Sequence, residues 1–341
     1  HLDLMRDPDL FTQQVEALPA RSWVVVDEIQ RLPVLLNEIH SIMNRHGSRY
    51  RFAITGSSAR KLKREGINLL AARAINRQFF PLTGDELGYG FVVDDLLRFG
   101  TLPAIAAEPS EAGRIDLMEA YVDNYIREEI QQEAAVKNLD TFTRFLEVAA
   151  LCNAQVTNTS GIARDVAVAR PTVQGYFQVL IDTLVGTWLP AWQPRAKVKE
   201  VKHPKFYFFD PGVVRGVSRQ LREPLAEDER GRLLETLVLH ELRAWMQFRG
   251  SGGRLSYWRT PSGSEVDFIW TQGKKAVGIE VKAGTRWRGE FGRSLRELRA
   301  AGALTRCYAV YLGTARLADG EVTVLPLKEF MKDLAQGRVL V

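Results

Sequence analysis

Cysteine is scarce in this chain of 341 residues, and its scarcity excludes two classes of protein. Cys152 and Cys307 stand far apart, and the histidines have no regular ligand spacing. Such residues build neither a disulfide framework nor a zinc site. We therefore expect a protein of the reducing cytoplasm.

Long apolar runs are also missing. No stretch of about 18 apolar residues occurs, which excludes a transmembrane helix. The first residues, HLDLMRDPDL, lack the charged segment and apolar core of a signal peptide. We expect a multi-domain globular protein that does not associate with a membrane.

Basic residues outnumber acidic residues only in the C-terminal part. Residues 201–341 hold 24 Lys and Arg against 16 Asp and Glu, a net charge of +8, whereas residues 1–200 hold 22 and 25, a net charge of −3. A basic surface attracts polyanions, so DNA is the predicted partner; a basic surface that is merely solvated is the alternative.

Two apolar strands in the N-terminal part each end in polar side chains. In WVVVDEIQ the apolar run is followed by Asp27 and Glu28, and in RFAITGSS it is followed by Thr55 and Ser57. The strand–helix–strand order predicts buried strands of a parallel α/β sheet. Asp27 then suits a Walker B position that holds magnesium, Glu28 would orient the attacking water, and Thr55 or Ser57 would be the sensor of the γ-phosphate. Two core strands with polar ends are the alternative.

Residues 140–204 have the pattern of three helices followed by a hairpin, which predicts a winged helix-turn-helix. The residues expected to contact DNA are Arg170, Gln174 and Gln178 on the third helix, for base edges, and Arg195, Lys197 and Lys199 in the wing, for phosphates. A winged helix used as a spacer or as a protein contact is the alternative.

The C-terminal part carries Glu235 on a predicted helix, Asp267 in a strand, and Glu280 with Lys282 two apart in the next strand. The order αβββαβ over residues 205–341, with Glu, Asp and Glu-x-Lys in these elements, resembles the PD-(D/E)xK nuclease fold. Val266 stands where the motif has proline.

Phosphodiester hydrolysis explains these residue types. Oxygen ligands from Asp267 and Glu280, helped by Glu235, suit Mg²⁺ or Mn²⁺. Lys282 could orient or deprotonate the attacking water and offset charge in the transition state. A surface ion pair of Glu280 with Lys282 is the alternative, and such cores also serve as inactive binding domains.

Several segments together, among them VVVDEIQRLPVLLNEIH, FAITGSSARKLKREGINLLAARA and HPKFYFFDPGVVR, resemble the prokaryotic AAA-type ATPases with a C-terminal nuclease-like domain. The resemblance implies a partial ATPase core at 1–88 and a helical lid or linker at 89–139. It also implies an arginine finger at Arg73, ahead of Arg77, which acts across a subunit boundary and so suggests a homo-oligomer.

The phosphate-binding loop G-x-x-x-x-G-K-[ST] of such ATPases does not occur in the sequence. The chain begins at His1 inside what resembles the second strand of the ATPase sheet, so we expect an incomplete sheet and ATP binding only if an upstream loop is present.

The leading hypothesis is an ATP-linked protein that acts on DNA through a magnesium-dependent nuclease centre. A non-catalytic binding regulator with a degenerate nuclease fold, and a plain ATPase whose C-terminal domain recognises a partner, are the alternatives.

Overall fold

The computed structural model describes residues 2–56, 74–126, 138–193 and 203–341. Its contacts divide the chain into two compact units, one of His1–Asn76 with Gln178–Leu184 and one of Arg77–Phe177 with Val185–Val341. The mixed α/β, multi-domain class is confirmed, whereas the predicted boundaries at residues 88, 139 and 204 stay predictions.

The first unit contains a pair of parallel strands. Its elements are helices α1 (Leu2–Arg6), α2 (Asp9–Glu16) and α3 (Leu35–His46), the 3₁₀ turns Ile29–Arg31 and Gly47–Arg49, and strands β1 (Trp23–Val26) and β2 (Arg51–Ile54). Strands β1 and β2 pair in parallel with Val24 opposite Phe52. Apolar side chains of α2 and α3 form the core of this unit together with Ile29 and Leu32.

The prediction that β1 is buried is wrong. Trp23 and Val25 are 61% and 67% exposed, whereas Val24 and Val26 pack against the core. Side chains alternate along a strand, and among the described residues the core of this unit covers one face of β1. An apolar strand sequence does not reveal whether both faces are covered.

The second unit begins with helices and a short antiparallel ribbon. Its helices are α4 (Val93–Phe99), α5 (Pro103–Ala107), α6 (Glu111–Ala120) with a π-helical end Tyr121–Ile126, α7 (Leu139–Leu151), α8 (Thr159–Val166), α9 (Arg170–Asp182) and α10 (Pro211–Val217). Only the part of α9 up to Phe177 belongs to this unit. The strands of the ribbon are β3 (Gly186–Leu189) and β4 (Lys205–Phe208). The rings of Phe145, Trp188 and Phe206 lie 4.8–4.9 Å from that of Phe177, so α7, α9 and the ribbon share one aromatic core.

A long helix and a mixed sheet follow. Helix α11 (Glu227–Arg249) begins where the Glu229 carboxylate accepts the Ala226 N–H at 3.0 Å, and it ends at Gly250, whose φ is +60°. The remaining elements are β5 (Arg254–Arg259), β6 (Glu265–Gln272), β7 (Lys275–Lys282), the 3₁₀ turn Gly289–Gly292, α12 (Arg293–Ala300), β8 (Arg306–Tyr311), β9 (Leu317–Asp319), β10 (Val322–Pro326) and α13 (Leu327–Ala335).

The six strands are ordered β5-β6-β7-β8-β10-β9, with β7 in the interior of the sheet. Strand β7 pairs antiparallel with β6 and parallel with β8. Helix α12 packs closely on β7, because a Cβ at Gly278 would lie 2.7 Å from Leu295 and Leu304. The order helix, three strands, helix, strand agrees with the sequence, which did not reveal β9, β10 and α13. In the described segments, none of the helices has the length and apolarity needed to cross a bilayer.

Glu241 on α11 is a buried carboxyl that accepts the N–H of Gly84 at 2.7 Å. Burial raises the pKa of Glu241 to about 7. Because the folded pKa lies above the unfolded value, the stabilisation from this group is complete below pH 4.5 and is lost as the pH rises through 7.

We expect Glu241→Gln, which stays neutral and can accept the same bond, to raise the free energy of unfolding by about 1 to 3 kcal/mol at pH 8. At pH 4.5 the difference should nearly vanish. Urea unfolding at both pH values measures this, with Glu297→Gln, an exposed position on α12, as the matched control. Equal free energies of unfolding for wild type and Glu241→Gln at pH 8 would contradict the conclusion that the buried, ionised Glu241 carboxylate destabilises the folded protein.

Candidate functional site: an acidic cleft in the second unit

The ends of the two N-terminal strands meet at one edge of their sheet. The hydroxyl of Thr55 donates to Asp27, and the N–H of Glu28 donates to the Thr55 hydroxyl at 3.1 Å. Glu28 has a left-handed backbone with φ +54°, and its carboxylate accepts from the Gln30 amide at 2.7 Å. The structure therefore brings Asp27, Glu28 and Thr55 together, while Ser57 and Arg73 lie outside the described residues.

Asp267, Glu280, Lys282 and Glu235 line one cleft of about 720 Å³ in the second unit. Glu235 projects from α11, Asp267 from β6, and Glu280 and Lys282 from β7. The pairing of β6 with β7 runs from Gln272–Lys275 to Phe268–Ile279 and stops just before Asp267 and Glu280. The acids therefore stand where the two strands separate.

Each carboxylate of the strand pair has one oxygen in a close contact. Asp267 Oδ2 accepts the Val281 N–H at 2.8 Å, and Glu280 Oε1 forms an ion pair with Lys282 Nζ. Glu280 Oε2 is buried, and it has no hydrogen-bond partner in the part of the chain that the structure describes. An unpaired buried acceptor costs free energy, so Glu280 Oε2 marks a place that suits a cation or a donor.

Lys205 is the residue that the sequence reasoning missed. Its buried ammonium lies 2.5 Å from Glu265 Oε1, 3.4 Å from Glu235 Oε2 and 4.0 Å from Asp267 Oδ1. Tyr207, two residues further along β4, donates to the same Glu235 oxygen at 3.0 Å, because alternate residues of a strand face the same way. The lysine at the start of the otherwise apolar strand KFYF was the signal that the sequence offered.

Burial sets the protonation of this cluster. It raises the pKa of Glu235 to about 7, with a further increase from Asp267 and an opposing effect of Lys205. Burial also raises the pKa of Asp267, and burial together with Asp267 raises the pKa of Glu280 well above its ordinary value. Burial alone would lower the pKa of Lys205, but Glu235 and the other acids around it raise that pKa well above its ordinary value.

Metal-binding geometry is incomplete in this cleft. Among residues 2–56, 74–126, 138–193 and 203–341, no group of three or more His, Cys, Asp or Glu side chains is arranged to hold a metal ion. The Lys205 ammonium instead stands between Glu235 and Asp267. The roles of Glu235, Asp267 and Glu280 as metal ligands stay predictions.

The predicted DNA-contacting residues are described in part. Arg170, Gln174 and Gln178 on α9 are exposed, and the Gln178 amide donates to Asp182 at 2.8 Å. The wing residues Arg195, Lys197 and Lys199 lie outside the described residues. The exposure of these three side chains is compatible with DNA binding, which stays a prediction.

The chain matches three family models in succession. Residues 2–88 match an AAA domain, residues 92–223 a domain of unknown function (DUF8612), and residues 230–330 another domain of unknown function (DUF4143). The first and last matches support an AAA-type ATPase-like lineage.

Two curated relatives extend the likeness over most of the chain. The uncharacterized proteins Mb2031c of Mycobacterium bovis and Rv2008c of Mycobacterium tuberculosis are each 26% identical over 309 residues, which cover 88% of this chain and 68% of theirs. Neither name states an activity.

The solved structures that align with this chain are only weakly similar to it. Protein VC1899 from Vibrio cholerae aligns over 96% of this chain and 93% of its own with 15% identity and a TM-score of 0.26. Can2 from Sulfobacillus thermosulfidooxidans, in complex with cyclic tetra-adenylate, aligns over 97% of this chain and 96% of its own with 8% identity and a TM-score of 0.22. Scores this low support no argument about fold or function.

We expect Lys205→Met to lower the free energy of unfolding by about 3 to 5 kcal/mol at pH 7, because it leaves buried carboxylates without their cation. The loss should shrink at pH 5, where those carboxyls are more fully protonated. Denaturant unfolding measures both values. Lys275→Met, at an exposed position of β7, is the matched control, and a loss below about 1 kcal/mol at pH 7 would show that Lys205 is not the counter-ion of this cluster.

Proposed function

We propose that this AAA-lineage protein acts on DNA and that Asp267, Glu280 and Lys282 form a phosphodiester-cleaving centre dependent on Mg²⁺ or Mn²⁺. The observation that carries the proposal is the buried, unpartnered Glu280 Oε2 in a cleft shared with Asp267 and Lys282. A substrate phosphate and a divalent ion would both find their complementary groups there.

The donor set fits such an ion. Mg²⁺ is usually bound through one or two carboxylates, waters and substrate phosphates rather than by an all-protein cage. Glu280 Oε2 and Asp267 Oδ1, which lies 4.0 Å from the Lys205 ammonium, are the oxygens that would hold it. Glu235 is a weaker candidate, because Lys205 and Tyr207 already engage its Oε2.

The ion, when bound, would lower the pKa of a water and polarise the phosphate. Lys282 has its amine against Glu280 and 5.7 Å from the centre of the Phe291 ring, so its position is set from two sides. Glu280 offsets the effect of burial and raises the pKa of Lys282, so this side chain stays an ammonium. Its role is to stabilise phosphate charge rather than to remove a proton from water.

DNA binding is supported by cations around the cleft and by exposed polar side chains of helix α9. Arg232 and Arg259 line the cleft beside the acids, where they could contact phosphates. Arg170 and Gln174 on α9 are exposed and suited to base edges.

An ATPase role for the N-terminal segment is a companion proposal. The contact between Asp27 and Thr55 joins a carboxylate and a hydroxyl at the carboxyl ends of parallel strands, where a Walker B acid and a sensor lie. ATP binding would also require the phosphate loop that this sequence lacks. In a protein that carries such a loop, Glu28 would orient the attacking water.

A non-catalytic binding role is the second candidate, and Lys205 favours it. An ammonium within 4.0 Å of both Glu235 and Asp267 already supplies the positive charge that a metal would bring. On this reading the cleft recognises a partner without cutting it.

We expect wild-type protein to nick supercoiled plasmid in Mg²⁺ or Mn²⁺, and Lys282→Ala to lower the nicking rate at least about 100-fold. The control is Lys275→Ala, an exposed lysine on the same strand, which should nick at the wild-type rate. Gel densitometry over time gives the rates.

Absence of nicking by wild type with either ion, or equal nicking by Lys282→Ala, would refute the nuclease proposal. Metal-independent DNA binding that weakens steeply between about 50 and 200 mM salt would then support the binding role.

A further inference from the structure

A second cavity, of about 370 Å³, lies in the same unit between Phe80, strand β3, helix α11 and the loop at residues 251–253. None of its lining residues lines the acidic cleft, so the two cavities are separate. Its size falls within the range of small-molecule sites. Neither the nuclease nor the ATPase proposal uses it.

Arg243 of α11 lines this cavity without a counter-ion. In the part of the chain that the structure describes, its side chain makes no ion pair or hydrogen bond, and its Cζ lies over the Phe80 ring, 5.5 Å from the ring centroid. Arg215, by contrast, pairs with Glu229 at 2.6 Å and donates to the Glu223 carbonyl at 2.6 Å. Because no acid offsets its burial, the pKa of Arg243 falls to about 10.

A second polar group of the cavity is also unpartnered. Ser251 Oγ is buried and has no hydrogen-bond partner among the described residues. Gly253, with φ +130°, brings the loop close to the sheet, since a Cβ there would lie 2.5 Å from Trp270 Nε1. Among the described residues, a guanidinium without a counter-ion and a buried hydroxyl without a partner therefore line one small cavity, and the hydroxyl costs free energy until a partner is present.

The other walls are aromatic and apolar. Phe80 and Trp188 line the cavity together with Leu239 and Met246. Such walls suit the flat or apolar body of a ligand, whereas a bare inorganic ion would leave them in contact with water.

We propose that this cavity binds a small organic anion. Its phosphate or carboxylate group accepts from the Arg243 guanidinium and the Ser251 hydroxyl, and its ring lies against Phe80 and Trp188. The guanidinium matches both oxyanions in a two-pronged arrangement, so the two groups share the recognition chemistry.

Titration of the full chain with phenyl phosphate, benzoate and phenol tests this proposal by isothermal calorimetry. We expect one or both anions to bind saturably with Kd below about 1 mM, and phenol to bind far more weakly. Tighter binding of phenyl phosphate identifies a phosphate site, and tighter binding of benzoate identifies a carboxylate site.

Arg243→Met should weaken the anion about 10- to 100-fold. It should also raise the thermal unfolding midpoint of the ligand-free protein, because it removes an uncompensated charge; a purely structural arginine would show the opposite change. Ser251→Ala should weaken binding by a smaller factor and gives a second test if Arg243→Met does not fold. Arg164→Met, at an exposed position of α8, is the matched control and should bind as wild type does.

The proposal is overturned if neither anion binds saturably up to about 10 mM, or if phenol binds as tightly as the anions. It is also overturned if the folded Arg243→Met and Ser251→Ala variants both bind as the wild type does.

Discussion

The ammonium of Lys205 is the interaction on which the candidate site depends. It lies within 4.0 Å of carboxylates from α11 and β6, and it reaches them from β4. Holding Glu235, Asp267 and the partly exposed Glu265 together without a cation would cost about 3 to 5 kcal/mol. Lys205 therefore ties the ribbon, the long helix and the central sheet into one unit, and it also sets the charge that any ligand of the cleft meets.

Two cavities of the second unit are lined by polar groups of opposite hydrogen-bonding character that have no partner among the described residues. Among the described residues, the unmatched atom in the cleft is an acceptor, Glu280 Oε2, and the unmatched groups in the second cavity are the Ser251 hydroxyl and the Arg243 guanidinium, which has no counter-ion. By contrast, the buried Arg215 guanidinium has a counter-ion in Glu229. Because the unmatched atom of the cleft is an acceptor and the unmatched groups of the second cavity are donors, the two cavities suit ligands of opposite charge.

Much of the C-terminal domain could be predicted from local patterns. The two-residue spacing of Glu280 and Lys282 on a strand placed them side by side, and they form an ion pair. Lys205 escaped prediction because its acidic partners lie 30 residues away in Glu235 and further still in β6. The exposure of Trp23 and Val25 could not be predicted from the sequence either, since an apolar strand has the same sequence whether one of its faces or both are covered.

The sequence by itself determined the kind and order of most elements and the face on which each side chain of a strand or helix lies. These follow from backbone geometry and short-range spacing. Only the tertiary structure decided which buried charges are paired and which are not. Lys205 found three carboxylates and Arg243 found none among the described residues, because such pairing depends on contacts between segments that lie far apart along the chain.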